Sequence, residues 1–166
     1  GDCDSEKTGT MVTFHPDPEI FEETVFDFHT LKHRFREIAF LTKGLKIIAK
    51  DNRGEEPKET VFHYEGGIRE FVQYLNKSTT ALYEEILYFE GTKDGVMVEV
   101  AMQHNDSYTE NTYGFVNNIT TPEGGTHVVG FRNALTKTFN EYARKNKLLK
   151  DSDANLSGED IREGLT

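Results

Sequence analysis

Two hydrophobic periods alternate along this chain, and together they lay out its elements. A run rich in Thr, Val and Phe over residues 10–14 predicts a short strand, ended by Pro16 and Pro18, which cannot donate inside a sheet. Leu31, Phe35, Ile38, Ala39 and Thr42 then recur at helical spacing and predict a helix over 28–41, with Gly44 where a C-cap belongs. Strands are predicted over 45–49 and 60–64, joined by the turn Asp51-Asn-Arg-Gly54. Glu65-Gly66-Gly67 breaks the second of them and leads into a helix over 68–75, whose Ile68, Phe71, Val72 and Leu75 face one way. Residues 86–89 and 96–102 flank Gly91-Thr-Lys-Asp-Gly95 and read as an antiparallel hairpin, with Asp94-Gly95 supplying the positive-φ turn residues. A further strand is predicted over 113–119.

The longest predicted element is an amphipathic helix from Val128 to about Leu149, with Val128, Phe131, Leu135, Phe139 and Tyr142 as its apolar stripe. A polar loop over 151–156 precedes a capped helix start at Ser157-Gly-Glu-Asp160, where Ser157 accepts from the Asp160 amide. Strands followed by single helices, with a hairpin in the middle, predict an α+β fold: a mixed, largely antiparallel sheet with helices packed on one face. The 166 residues suffice for one domain or for pieces of two. Both ends read as cut, so the chain is expected to be a fragment of something larger.

Charge adds the one asymmetry that asks for a functional explanation. The chain carries −10 overall. Between residues 127 and 150, however, Arg132, Lys137, Arg144, Lys145, Lys147 and Lys150 face a single acid, Glu141, a local +5 that leaves −15 for the remainder. The net charge argues against indiscriminate nucleic-acid binding by the whole surface, but not against a local basic strip. Cations near a helix C-terminus are explained by the macrodipole, which covers 144–150. Arg132 and Lys137 lie in the first half, where the dipole disfavours them, so a compensating anion such as a DNA phosphate is expected there. The lone Cys3 permits no internal disulfide and, with no signal-peptide pattern, fits a reducing cytoplasm.

Other candidate chemistry is weaker. Gly124-Gly-Thr-His127 at a helix start could hold a phosphate on free amides; the simpler reading is a tight turn with Thr126 as N-cap. His29 and His33 have the spacing of a shared metal site, but Thr30 stands where a zinc protease has Glu, and no third ligand is evident. Glu84-Glu85 and Glu159-Asp160 are adjacent, point different ways and make poor acid–base pairs. No catalytic or metal-binding residue is assigned.

Taken together, several motifs resemble the B-subunit family of bacterial DNA gyrase. They are Lys7-Thr-Gly-Thr10 before a strand, Arg36-Glu-Ile-Ala-Phe-Leu41, His63-Tyr-Glu-Gly-Gly-Ile68, Asn117-Asn-Ile119 with Glu123-Gly-Gly-Thr-His127, and Arg162-Glu-Gly-Leu165. The likeness runs from about Glu6 to Thr166; the paralogous B-type polypeptide of topoisomerase IV shares most of it, and Glu65-Gly-Gly67 favours gyrase.

The resemblance implies that residues 1–20 form the C-terminal edge of a GHKL-type ATP-binding domain. Residues 21–166 would be a transducer domain, truncated at its C-terminal end, with a fold like the second domain of ribosomal protein S5. Thr10 would help hold adenine through a water, with Met11 and Val12 lining that pocket. Arg132 would project into the cavity that receives the captured DNA, with Lys137 as a second electrostatic guide. The implied cofactors of the whole polypeptide are ATP and Mg2+. The implied partners are double-stranded DNA, the gyrase A protein (GyrA-type) and a second copy of the B protein, in an A2B2 heterotetramer. The family's ATP-site Glu, Asn, Asp and glycine lid precede Thr8, and its Gln-Thr-Lys loop follows the last residue. This polypeptide is therefore expected neither to hydrolyse ATP nor to cut DNA alone. From the residues themselves, a stand-alone nucleic-acid- or protein-binding α+β module stays open. A MutL-like repair protein shares the two-domain plan but should lack the Glu-Gly-Gly-Thr-His segment.

Overall fold

The computed structural model describes residues 9–166; Cys3 and the Lys7-Thr8 start of the first motif lie outside them. Helices and antiparallel strands alternate along the chain, as an α+β fold requires. Helix α1, Phe28–Leu41, begins where the Asp27 carboxylate accepts from the Thr30 amide at 2.6 Å. It packs on the hairpin of β1, Lys46–Asp51, and β2, Lys58–His63, whose inner face brings Ala49 and Phe62 against Phe35 and Ala39. Phe40, outside the predicted stripe, is almost fully buried because α1 is covered on a second side. Its ring stacks on Tyr64 at 3.6 Å and on Phe71 of α2, Ile68–Leu75, at 5.0 Å.

The second hairpin joins β3, Leu87–Lys93, to β4, Val96–Met102, through Asp94 and Gly95, both at positive φ. The strand predicted over 113–119 is itself a hairpin, β5 (Phe115–Val116) and β6 (Ile119–Thr120). Asn117 and Asn118 at φ 50° and 63° turn the chain between them. Antiparallel pairing is thus spread over three two-stranded ladders. The predicted strand over 10–14 does not form. No described strand pairs with it, and Met11 (93% exposed) and Val12 (78%) stand in solvent. Unpaired backbone without a neighbouring ladder has nothing to hold it as a strand.

Helix α3, Thr126–Lys145, starts two residues before and ends four residues before its predicted limits. Its N-cap is Gly125 at φ 148°, a conformation L side chains rarely adopt, so Thr126 is the first helical residue rather than the cap. Lys147 at φ 57° terminates the helix. Leu135 of α3 joins Met102, Ile161 and Leu165 in a second core, with Phe131 and Phe139 packed against it. Tyr142, predicted on the stripe, is 62% exposed, and Ala143 is buried instead. Helix α4, Gly158–Arg162, has the predicted Ser157 cap, extended to a capping box by Asp160. No helix of the described residues is long and apolar enough to cross a membrane.

Candidate nucleic-acid interface

The faces of α3 separate the two cations singled out in the sequence. Residues five apart lie about 140° around a helix from each other. Arg132 therefore flanks the core-facing side, whereas Lys137 points away with 75% of its side chain exposed. Lys137 and Arg144, a heptad apart and only about 20° out of line, border an open groove of about 690 Å3 between α3 and the segment leading into α4. Asn133, Asn140, Glu141, Asn155 and Arg162 also line it, so its walls are polar.

Each cation of α3 has a different commitment. Among the described residues Lys137 has only the flanking Glu141 at 3.7 Å, a solvent-exposed pair of small energetic weight. Arg144 is spent on the 150–155 loop: its guanidinium donates to the carbonyls of Lys150 and Asp153 and to the Asn155 side chain. Lys145, Lys147 and Lys150 are exposed, and none is ion-paired among the described residues.

Arg132 finds its compensating anion inside the protein. Its Nε donates to Glu110 Oε1 at 2.8 Å, with Nη2 in ion-pair contact with the same oxygen, while Arg162 Nε donates to Glu110 Oε2 at 2.9 Å. One carboxylate from the loop after β4 thus bridges guanidiniums of α3 and α4. Burial raises the Glu110 carboxyl, but hydrogen bonds from Thr112, Arg162 and Arg132 outweigh it and hold the group below its ordinary value. The charge of Arg132 is therefore half-shared rather than free, a qualification that the helix pattern alone could not supply. Glu110 carries no sequence signal: it is one of two acids in the polar run 103–112, with no periodicity.

The loop that carries Glu110 is held firmly. Gln103 and Thr166 exchange backbone hydrogen bonds at 2.9 and 3.0 Å, Asn105 N–H donates to Gly164 O, and Asn111 N–H to Leu165 O. Beneath them a buried amide chain runs Gln103–Asn76–Asn105–Thr166, each link at 3.0–3.2 Å. Gly164 is required there. It sits at φ 69°, and a Cβ would meet the Asn105 carbonyl oxygen and approach Ser107 O to 2.6 Å. Asn140, buried on α3, clasps Leu156 through both backbone groups at 2.8 and 3.0 Å, and so sets the groove's far wall.

The remaining candidates do not converge. Thr10, Met11 and Val12 are exposed and lie outside every helix and strand. No group of three or more His, Cys, Asp or Glu among the described residues could hold a metal. His33 lies 3.9 Å from Glu37, and His127 bonds Thr121 Oγ1 at 3.1 Å beside the α3 start.

The comparisons with known proteins agree with this architecture. A DNA gyrase B family model matches residues 67–166. The chain is 56% identical over 164 residues to the DNA gyrase B protein of Bacillus cereus, covering 98% of this chain and 40% of that protein. It is also 56% identical over 160 residues to the DNA topoisomerase 4 B protein of Enterococcus faecalis, covering 96% of this chain and 23% of that one. Among solved structures it resembles the 43K ATPase domain of Thermus thermophilus gyrase B, crystallised with an aminocoumarin. There the identity is 37%, the TM-score is 0.76, and the match covers 90% of this chain and 40% of that one. The chain thus spans two fifths or less of the length of the relatives it matches.

Proposed function

This chain belongs to the DNA gyrase B family, and from that premise we propose that it is the transducer segment of an ATP-dependent type II DNA topoisomerase in the bacterial cytoplasm. It would relay ATP binding and hydrolysis to strand passage and supercoiling. Residues 1–20 would close the edge of the ATP-binding domain, with Thr10, Met11 and Val12 at its adenine end, and residues 21–166 would form the transducer. When bound, ATP with Mg2+ would supply the energy of domain closure. The residues here offer no phosphate- or metal-holding set, so no hydrolytic step is assigned to them. The gyrase A protein, a second copy of the B protein and duplex DNA are the proposed partners.

The observation that carries this reading is a polar groove along a cationic helix in a protein of net charge −10. Lys137 presents an exposed point charge that suits a passing duplex: charge neutralisation positions DNA without reading sequence. Lys137 is an electrostatic guide, not a catalyst. Arg132 takes part together with the carboxylate that holds it. The tight linkage of the 103–111 segment to residues 162–166 supports a relay role, because displacement of one drags the other through five backbone and amide bonds. In the full-length protein, Lys137→Glu should lower DNA-stimulated ATP hydrolysis and supercoiling several-fold while leaving DNA-independent hydrolysis intact. Equal activity in all three assays would refute the guiding role.

A further inference from the structure

We infer that Arg162 and Glu110 belong to the same polyanion site as Arg132, with Glu110 the positioning carboxylate and the two guanidiniums the groups that meet a phosphodiester. The inference rests on the proposed DNA-facing role of α3. The two arginines come from different helices and meet on one carboxylate, each donating through Nε, with Arg132 Nη2 in further ion-pair contact. A guanidinium offers five N–H donors in a rigid fork. Among the described residues Arg132 Nη1 and both Nη groups of Arg162 find no acceptor. No buried polar side-chain atom of the described residues lacks a partner, so these nitrogens keep some contact with solvent, on side chains that are 39% exposed at Arg132 and 16% at Arg162. Two positive charges share one negative charge, and the cluster keeps a net +1 with unused donors. Such a fork matches the paired oxygens of a phosphate better than any single acceptor.

Placement strengthens the case. Arg162 is common to the ion-pair cluster and to the groove that Lys137 borders, so one cationic track runs from the exposed face of α3 to Arg132. Glu110 cannot drift. Thr112 Oγ1 donates to it at 2.7 Å, and the following loop is pinned through Asn111 to Leu165. A charge held this firmly prepays the ordering of two long side chains, which otherwise weakens phosphate contacts.

The test is duplex-DNA binding by the full-length protein as a function of salt, because each phosphate neutralised contributes about 0.9 to the slope of log affinity against log salt. Arg162→Gln should flatten the slope by about one contact, and Arg162→Lys should restore it, since a point charge suffices for counterion release. Glu110→Gln removes the competing charge and keeps one acceptor. It should steepen the slope by about 0.9, an added loss of about threefold between 50 and 200 mM, because the slope counts charge and not side-chain order. Thermal melting confirms that each variant folds; should Arg162→Gln fail, Glu110→Gln carries the test alone. Slopes unchanged in Glu110→Gln and Arg162→Gln, with a flattened slope in Lys137→Ala, would reduce the cluster to a structural ion pair while the DNA-facing role of α3 stands. An unchanged slope in Lys137→Ala as well would overturn both.

Discussion

The Glu110 carboxylate sits where burial and charge pull in opposite directions, and its partners win. A carboxyl whose folded-state pKa is depressed stabilises the fold above its unfolded value of about 4.3, and that stabilisation is lost as pH falls through the folded value. The unaltered protein should therefore lose melting temperature more steeply below about pH 4.3 than Glu110→Gln, which has no proton to take up at that position. Parallel curves would mean that the Arg132–Glu110–Arg162 cluster adds nothing to stability. Gly164 makes the same neighbourhood intolerant of change for a different reason, since its positive φ and the Asn105 carbonyl leave no room for a side chain. The sequence marks Gly164 only as part of a motif and Glu110 not at all, because each acquires its meaning from a partner more than 50 positions away, Asn105 for Gly164 and Arg162 for Glu110.

Individual elements are far more legible than their contacts. The limits of α1 and α2 and the Ser157 cap follow from local periodicity and capping chemistry, and the structure has them where expected. Local signals fail wherever tertiary packing decides. Phe40 is buried because α1 is covered on two sides, and Tyr142 is exposed because the end of α3 turns Asn140 and Ala143 inward, where Asn140 clasps Leu156. Residues 113–119 read as one strand because β composition continues on both sides of Asn117-Asn118 and hides the turn pair between them. Residues 10–14 have strand composition but no ladder to join. The cap of α4 gives a check at this scale. Ser157→Ala removes an oxygen bonded to the Asp160 amide at 3.1 Å and should cost about 1 kcal/mol in chemical denaturation. A change within error would show that packing of Ile161 alone holds the helix.

For the molecule as a whole, a protein of net −10 presents the cationic helix α3 beside a polar groove, and duplex DNA is the partner proposed for it. The basic character of the site is visible in the sequence. Its division of labour is not, because Arg132 and Lys137 lie on different faces and Arg144 is consumed by a loop. The exposed lysine, rather than the arginine that shares a carboxylate, is the cleaner probe of the electrostatic track. The most direct measurement is the salt dependence of duplex-DNA binding by full-length Lys137→Ala beside the unaltered protein. A slope shallower by about 0.9, with equal melting temperatures, is the predicted result; identical slopes would contradict a DNA-facing α3.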